Sequence, residues 1–553
     1  MTLIKFRCIS CGHIEDYRIP LEACPACGET YLDVVYELDG PLPWPEALKD
    51  RPNTMWRFRE LLPLYDDAHI VSLGEGMTPL IRSENLGAML GLKNLYIKDE
   101  RQGPTGSFKD RQASLAISSL KEFGINEAVV ASTGNVAIAY AAYAARAMLK
   151  MWVFTISSVP SDKMREVTLY GTEVVKVTGT YDQAKHVAAR YAEIKNIFLD
   201  KGIKSVAAKE AMKTMAFEMA MQLGDVLGPD KDGRPWRTPD WYIQAVSGGL
   251  GPIGVMKGFR ELEHYGLSSG VPKLGCIQSD GCDPMVRAFR AGQEDAPPFL
   301  RPSTRIATVA TDVPGVAYKV LRREILNTGG TFDSVSDEEA FQALKTVAKL
   351  EGISVEPATA LAFAGLFKMA RQKLIDPDEI VVVNCSGHTF PVEKHILGDS
   401  LIHDVDVTPM TQPSIPHEGL LAALETIDPH AARVLVIEDD PGAAQLMMRI
   451  LKAHGVAETV HAADGRAGIQ QAVAIHPDLI VLDLMMPGVD GFGVLDALKS
   501  DDLLRDVPVV VVTAKDLTPE ERSYLAGRVQ SLLQKGAFLD EEELQALIEK
   551  SLN

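Results

Sequence analysis

The sequence predicts an α/β protein of three parts: a cysteine-rich segment at residues 1–40, a two-lobed domain at 41–400 and a doubly wound domain at 433–553. Three observations support this prediction. Four of the seven cysteines lie within the first 27 residues. Beyond residue 41, short apolar runs alternate with longer amphipathic stretches, which is typical of largely parallel sheets covered by helices. In the last segment, apolar runs end in charged or hydroxyl residues, as strands with a ligand site at their carboxyl ends do.

The composition excludes several classes of protein. Of the 553 residues, 46% are hydrophobic and 24% charged, which are ordinary values for a globular chain and not for a disordered one. The net charge of −19 argues against a nucleic-acid-binding surface, which needs a basic face. No apolar run reaches the ~18 residues of a membrane span, and the first residues do not resemble a signal peptide. We therefore expect a cytoplasmic protein that binds neither nucleic acid nor a membrane.

The first segment contains two C-x2-C pairs, Cys8–Cys11 and Cys24–Cys27, with twelve residues between them. A glycine follows each pair and allows the tight turn that brings two thiolates together. Four thiolates at about 2.3 Å form a closed tetrahedral zinc site, which is structural because it leaves no position for water. The alternative is four unrelated buried or redox-active cysteines. The spacing favours a zinc ribbon at residues 1–40.

The central segment has the strand-and-helix pattern of a large α/β domain. About 360 residues exceed one ordinary core, so two sub-domains facing a cleft are expected. The predicted strands are Ala128–Ala131, Met151–Ile156, Glu173–Val177, Tyr242–Val246 and Ile380–Asn384.

Lys109 lies in the most informative stretch of this segment, Pro104–Arg111, after a Gly-Ser turn and Phe108. A lysine held in an apolar cleft has a lowered pKa and can form a Schiff base with an aldehyde cofactor. On its own the stretch is equally consistent with a solvated lysine at a helix start.

Three other segments place polar groups or glycines directly after predicted strands. Ser132, Thr133 and Asn135 precede an alanine-rich helix, where Asn135 is placed to bond a ring hydroxyl. The loop 247–251 (Ser-Gly-Gly-Leu-Gly) precedes another helix and would present amides to a phosphate. Ser386 follows the strand that ends at Asn384.

Together, these motifs resemble the threonine synthase family of pyridoxal-phosphate enzymes, which have the two-lobed tryptophan synthase β-like fold (fold type II). The resemblance extends from the cysteine pairs to about residue 395 and includes the stretches 75–79 (Glu-Gly-Met-Thr-Pro) and 352–358 (Gly-Ile-Ser-Val-Glu-Pro-Ala). It implies that Lys109 is the Schiff-base lysine and the proton shuttle at the substrate carbons. Asn135 would contact the cofactor's O3′, and Ser386 would face the pyridine nitrogen. The phosphate cradle would be Val246, Ser247, Gly248, Gly249 and Leu250.

The resemblance implies a lyase, with O-phosphohomoserine converted to threonine and phosphate as the default reaction. A serine near the pyridine nitrogen, unlike an aspartate, favours elimination and replacement over transamination. The loop Val-Ser-Gly-Gly-Leu-Gly-Pro and the late motif Ser-Gly-His-Thr depart from the usual family patterns, so a cysteate synthase-like or dehydratase-like reaction stays open. A non-catalytic sensor with this fold is a further alternative. The expected substrate contacts are Ser132, Thr133, Lys163 and Arg111, and the family implies a homodimer.

The last segment, residues 433–553, carries a second constellation. Glu438, Asp439 and Asp483 end two of its predicted strands (434–437 and 479–482), and Thr513 ends a third (509–512). The three carboxylates form an acidic site for Mg²⁺, with Thr513 and Lys535 beside it. The pattern resembles a response-regulator receiver domain, with Lys535-Gly536 where most receivers have Lys-Pro.

The receiver resemblance implies that Asp483 accepts a phosphoryl group from a sensor histidine kinase or a phosphotransfer protein. Glu438 and Asp439 would hold the metal, and Thr513 and Lys535 would be the switch residues. Four prolines in residues 401–432 predict a linker between this domain and the enzyme.

Overall fold

The computed structural model describes residues 3–388, 402–406 and 433–534, apart from short gaps. The gaps are residues 22, 133, 157–160, 179–180, 300–301, 454–457, 502, 514–516, 519–520, 522–523, 526–527 and 530. The chain divides into two compact units, Met1–Ile402 and His403–Asn553. Each unit is described by itself.

The N-terminal segment forms a three-stranded antiparallel sheet, with β1 (Leu3–Cys8) between β2 (Ile14–Asp16) and β3 (Leu32–Glu37). Alternate residues of β1 are buried because one face of the sheet packs on the central domain. On that face Tyr17 donates a hydrogen bond to Ser119 Oγ at 3.3 Å.

The central segment contains two sheets, whose strands are β4 (Leu80–Arg82), β5 (Asn94–Asp99), β6 (Glu127–Ala131), β7 (Lys150–Ile156), β8 (Glu173–Thr178), β9 (Phe198–Asp200), β10 (Trp241–Ala245), β11 (Lys273–Ser279), β12 (Thr331–Val335) and β13 (Ile380–Cys385). The larger sheet has the order β12–β11–β10–β13–β5–β4 and is parallel except for the β4–β5 pair. In the smaller sheet, β6 lies between β7 and β9, and β8 lies on the other side of β7. These neighbouring strands are all parallel.

Helices cover both faces of the larger sheet, so its strands are buried on both sides. Tyr242 and Ile243 of β10 are both fully buried but belong to different apolar cores, one on each face. The helices are α1 (Glu84–Leu90), α2 (Lys109–Glu122), α3 (Asn135–Ala147), α4 (Ser161–Leu169), α5 (Tyr181–Lys195), α6 (Val206–Met212), α7 (Thr214–Leu227), α8 (Leu250–His264), α9 (Pro284–Arg290), α10 (Val316–Thr328), α11 (Asp337–Glu351) and α12 (Pro357–Arg371). Short 3-10 turns lie at Glu46–Asp50, Met55–Leu61, Asp67–His69, Glu100–Gln102, Gly202–Lys204 and Ala307–Val309.

The segment 401–432, predicted to be a linker, contains a strand, β14 (Ile402–Asp406). The predicted linker therefore includes five residues of regular secondary structure. The linker prediction rested on four prolines, which all follow this strand. The β-branched residues Ile402 and Val405 favour an extended backbone. Residues 407–432 lie outside the described part of the chain.

The C-terminal domain is a parallel five-stranded sheet with the order β16–β15–β17–β18–β19. Its strands are β15 (Arg433–Ile437), β16 (Glu458–Ala462), β17 (Leu479–Leu482), β18 (Val509–Thr513) and β19 (Ser531–Gln534). The described helices are α13 (Pro441–Ala453), α14 (Gly465–Ile475) and α15 (Gly491–Ser500). This is a doubly wound sheet, as predicted, with its ligand edge at the carboxyl ends of the strands.

Apolar runs correctly predict strand positions in both α/β domains. All eight predicted strands overlap observed ones. Among the described residues, no helix is both long and apolar enough to cross a bilayer.

Candidate active site

A cavity of about 600 Å³ opens between the two lobes of the central domain. Residues at the carboxyl ends of strands from both sheets line it: Ser132 follows β6, Asp200 ends β9, Val246 follows β10 and Ser386 follows β13. The first turns of α2, α3 and α8 also contribute to the wall. The predicted cleft between two sub-domains is therefore present.

Lys109 is the first residue of α2 and lines this cavity. Its side chain is half-buried, and its Nζ lies 4.2 Å from the centre of the Phe108 ring. Desolvation by the surrounding protein lowers the pKa of Lys109 from 10.5 to about 8, against the opposing attraction of the Glu356 and Asp200 carboxylates. The lysine is thus held close to its neutral, nucleophilic form.

Backbone contacts join the loop before Lys109 to the loop that contains Ser386. Phe108 N donates to Ser386 O at 3.1 Å, and His388 N donates to Gly106 O at 2.9 Å. The Ser386 hydroxyl is buried and hydrogen-bonded to Thr359 Oγ1 at 2.8 Å. Two motifs almost 280 residues apart in the sequence are therefore held side by side. Thr359 was not predicted.

Asn135 begins α3, and its amide Nδ2 donates to both carboxylate oxygens of Glu356, at 2.9 and 3.0 Å. Ser132 also lines the cavity, where its Oγ accepts from the backbone N–H groups of Gly134 and Ala137 at the start of the helix. Sequence reasoning missed Glu356 as a site residue, although the Glu-Pro pair that starts α12 contributed to the family resemblance.

The glycine-rich loop 247–251 leads into the N-terminus of α8 and lines the same cavity. Gly249 has a φ of +77°, and a Cβ there would lie 2.6 Å from Leu321 Cδ1, so the turn favours glycine at this position. Because the first backbone N–H groups of a helix lack intrahelical partners, this loop is suited to hold a phosphate.

Three lysines that the sequence did not single out, Lys185, Lys201 and Lys204, also line the cavity. Lys201 and Lys204 follow the carboxyl end of β9, which is where ligand contacts are expected in a parallel sheet. A prediction of β9 would therefore have indicated Lys201 and Lys204, but β9 was not among the predicted strands. Their charges make one side of the cavity attractive to an anionic substrate.

Arg111 does not contact the cavity, and its predicted role as a substrate ligand is wrong. Its guanidinium is 1% exposed and is paired with Glu100 at 2.8 Å and with Glu218. Glu218 in turn pairs with the buried ammonium of Lys98 at 2.8 Å. A guanidinium enclosed by two carboxylates has no free donor directed at a substrate. Thr133 and the side chain of Lys163 lie outside the described residues, so their roles stay predictions.

The four cysteines of the N-terminal segment form one cluster. Their Sγ atoms lie within 4.8 Å of one another, with Cys8 and Cys27 separated by 3.5 Å and Cys11 and Cys24 by 3.7 Å. Gly12 and Gly28 follow the two pairs with φ angles of +73° and +77°, as the predicted tight turns require. The donor set and its compactness fit a tetrahedral metal.

The C-terminal domain brings its three predicted acidic residues together. Carboxylate oxygens of Glu438, Asp439 and Asp483 lie within 4.8 Å of one another at the carboxyl ends of β15 and β17. Glu438 and Asp483 are buried, and grouped buried carboxylates require a compensating positive charge. Thr513 is buried at the end of β18, and Lys535 lies outside the described residues.

A cleft between two lobes with a lysine at a helix start is the arrangement expected of an α/β enzyme domain of the pyridoxal-phosphate class. The family model described as "Pyridoxal-phosphate dependent enzyme" matches residues 71–387. The chain belongs to this family, and within it is a homologue of the threonine synthases. The model described as "Response regulator receiver domain" matches residues 434–549.

Sequence relatives support the same assignment. The threonine synthase of Methanocaldococcus jannaschii is 37% identical over 385 residues, covering 69% of this chain and 91% of that protein. The threonine synthase of Methanosarcina acetivorans is 33% identical over 387 residues, covering 70% and 92%. Among solved structures, the processed form of threonine deaminase isoform 2 from Solanum lycopersicum matches with a TM-score of 0.48 and 22% identity, covering 57% of this chain and 84% of that one. The family resemblance predicted from the motifs is confirmed.

Proposed function

We propose that the chain is a pyridoxal-phosphate-dependent lyase of the threonine synthase type, which converts O-phosphohomoserine to threonine and phosphate. The observation that carries the proposal is the convergence of Lys109, Asn135, the glycine-rich loop and Ser386 on one cavity. The sequence relatives named threonine synthase support the choice of reaction.

The residues around the cavity fit pyridoxal phosphate. Lys109 would hold it covalently, the loop from Val246 to Leu250 would bind its phosphate, Asn135 would donate to its ring oxygen and Ser386 would lie at its ring nitrogen. When bound, the cofactor supplies an electron sink for negative charge at the substrate carbons. A hydroxyl at the ring nitrogen, with no charge of its own, gives little reason to keep that nitrogen protonated, which supports elimination and replacement over transamination.

The side chains of this chain have two further roles in the proposal. Lys109 takes up and returns protons at the substrate carbons, for which a pKa of about 8 is suitable near neutral pH. Lys185, Lys201 and Lys204 attract the doubly charged phosphate of the substrate and stabilise it as it leaves. Ser132 lines the cavity at the end of β6 and is the remaining predicted substrate contact there.

The proposal includes two metals. Zn²⁺ in the Cys8–Cys27 cluster would be structural, and Mg²⁺ at Glu438, Asp439 and Asp483 would assist phosphorylation of Asp483. A sensor histidine kinase or phosphotransfer protein would supply the phosphoryl group, and the receiver domain would regulate the enzyme, with Thr513 and Lys535 as its switch residues. A homodimer and a cytoplasmic location are part of the same proposal.

The test is phosphate release and threonine formation by the full-length protein supplied with pyridoxal phosphate and O-phosphohomoserine. Lys109→Ala should lower the rate about 100-fold or more, because it removes a positioned acid and base. Lys121→Ala is the matched control, since Lys121 lies on the same helix with its Nζ at the surface. O-phosphoserine with sulfite serves as the comparison substrate for a cysteate synthase-like reaction. Cofactor binding without phosphate release from either compound would contradict the proposal and favour a non-catalytic role.

A further inference from the structure

A second cavity, of about 340 Å³, lies between the N-terminal sheet and helices α6, α8 and α10. Its volume is within the range of small-molecule sites. It is separate from the first cavity, because none of the described residues lines both. Part of its wall is apolar, from Ile253, Met256 and Val320.

The charged part of the wall is unusual for a chain with a net charge of −19. Among the described residues, five basic side chains line the cavity: Arg7, Lys209, Lys257, Arg260 and Arg323. Three acidic side chains of the described wall face them: Asp33, Glu210 and Glu324. When Lys209 is protonated, this wall therefore has two positive charges in excess.

The acidic side chains of the wall are already paired. Lys257 Nζ lies 2.6 Å from Asp33 Oδ1 and also pairs with Glu210. Arg7 donates to the other oxygen of Asp33 at 2.9 Å, and Arg260 pairs with Glu324. These contacts neutralise the carboxylates and leave the charges of Lys209 and Arg323 largely unbalanced.

Lys209 is only 4% exposed, and among the described residues it forms no ion pair. Its Nζ donates to Leu32 O at 2.5 Å and lies 3.6 Å from the centre of the Tyr31 ring. Burial lowers the pKa of Lys209 to about 7, while Asp33 and Glu210 raise it. Within the described part of the chain, the ion-pair contact of Arg323 is with Glu324 Oε1 at 3.6 Å, and its side chain is 64% exposed. The charge of the buried Lys209 ammonium is poorly balanced by the carboxylates near it, so an anion bound beside it would stabilise its charged form.

We propose that this cavity binds a phosphate dianion, either free or as a small monoester, between the N-terminal sheet and the enzyme domain. Two charges on the ligand balance the two excess charges of the wall, and a lysine with an arginine is a suitable donor pair for phosphate.

The position of the site connects it to the active centre. The first turn of α8 contributes Leu250 and Gly251 to the active-site cavity, and the next turn contributes Gly254 and Lys257 to the second cavity. The anion would therefore bind to the same helix whose N-terminus holds the glycine-rich loop. This makes the cavity an effector site for the proposed enzyme, although anion binding itself does not depend on the reaction.

The experiment is calorimetric titration of the full-length holoenzyme with inorganic phosphate and, separately, with methyl phosphate, at constant ionic strength. We expect saturable binding that Arg323→Gln weakens about tenfold, since a hydrogen bond to a charged group is lost. Arg371→Gln is the matched control, because Arg371 is equally exposed and makes a similar 3.7 Å contact with Glu339. Tighter binding of methyl phosphate would identify a monoester as the ligand, and tighter binding of phosphate would identify the free anion.

Sulfate keeps its double charge at neutral and alkaline pH and therefore tests the role of Lys209. Sulfate affinity should fall as the pH rises through about 7, because Lys209 loses its proton. The groups that face its ammonium are Tyr31 and Asp33 from the N-terminal sheet, Glu210 from its own helix and Lys257 from α8. Failure of both phosphate ligands to saturate, or equal binding by Arg323→Gln and Arg371→Gln, would overturn the proposal. Either result leaves the lyase assay unaffected, so the two proposals fail independently.

Discussion

At the scale of single residues, the proposed Schiff-base role of Lys109 predicts that its charge state sets the rate at which the protein incorporates pyridoxal phosphate. Only the neutral amine attacks an aldehyde, and raising the pH produces more of it. Because the pKa is about 8 instead of 10.5, cofactor-free protein should incorporate pyridoxal phosphate at a rate that rises with pH to a plateau, with a midpoint near 8. The measurement is the rate of appearance of the bound-cofactor absorbance band over a pH series. A rate that continues to rise toward pH 10.5 would show an unperturbed lysine.

Glu356 provides a variant that moves this midpoint in a known direction. Its carboxylate raises the pKa of Lys109, so Glu356→Gln should lower the midpoint of incorporation. Glu338→Gln is the control, since Glu338 is an exposed carboxylate on α11 that pairs with Arg305. If both variants keep the wild-type midpoint, Glu356 does not act on Lys109.

The active-site residues found by sequence reasoning belong to local motifs. Lys109, Asn135 and the glycine-rich loop follow recognisable turns at strand ends, and the structure places them on one cavity. Glu356 and Asp200 were missed because their influence on Lys109 comes from segments far apart in the sequence. The distance of these carboxylates from Lys109 depends on how the two lobes pack. A local sequence pattern carries no information about that packing.

At the scale of secondary structure elements, a buried ionic cluster connects β5, α2 and α7. Lys98 lies in β5, Arg111 in the first turn of α2 and Glu218 in α7, and all three side chains are at most 1% exposed. Glu100 completes the cluster by accepting from Arg111 and from Thr78. Because α2 begins at Lys109, the cluster holds in place the helix turn that presents Lys109 to the cavity.

Without Arg111, the buried carboxylates of Glu100 and Glu218 would lose a compensating positive charge. We expect Arg111→Ala to lower the free energy of unfolding by about 3–5 kcal/mol, the usual result of breaking a buried ion pair. Arg371→Ala, at an exposed position, should change it by no more than about 0.5 kcal/mol. The measurement is urea unfolding followed by the aromatic circular dichroism of the protein. Equal stabilities of the two variants would show that the cluster contributes little.

The same cluster explains why Arg111 was misread. A basic residue two positions after the proposed lysine is as consistent with a substrate contact as with a buried pair. The deciding partner, Glu218, lies 107 residues further along the chain. Strand positions were predicted more successfully because an apolar run is a local signal. The strands that were not predicted include the short β4, β9 and β14, with three to five residues each, and also the longer β5 and β11, with six and seven.

At the scale of the whole molecule, one chain carries an enzyme domain and a receiver domain. Residues 407–432 join the two in sequence, so each domain is always present at a high effective concentration near the other. A receiver that is phosphorylated at Asp483 changes the charge of a site formed by two other carboxylates, Glu438 and Asp439. Covalent linkage gives that change a direct route to the enzyme within the same chain.

Phosphorylation should therefore alter catalysis in the intact protein. Acetyl phosphate with Mg²⁺ should label the wild type but not Asp483→Asn, and the label should change kcat/KM for O-phosphohomoserine by about fivefold or more, the usual size of a coupling between two sites. Asp506→Asn, at an exposed position in the same domain, should still be labelled and should respond as the wild type does. Labelled protein with unchanged kinetics and unchanged oligomeric state would show that the receiver does not control the enzyme to which it is joined. Because Asp483→Asn keeps the active-site cavity intact, its unlabelled activity should equal that of the unphosphorylated wild type, which separates a regulatory effect from damage to the enzyme.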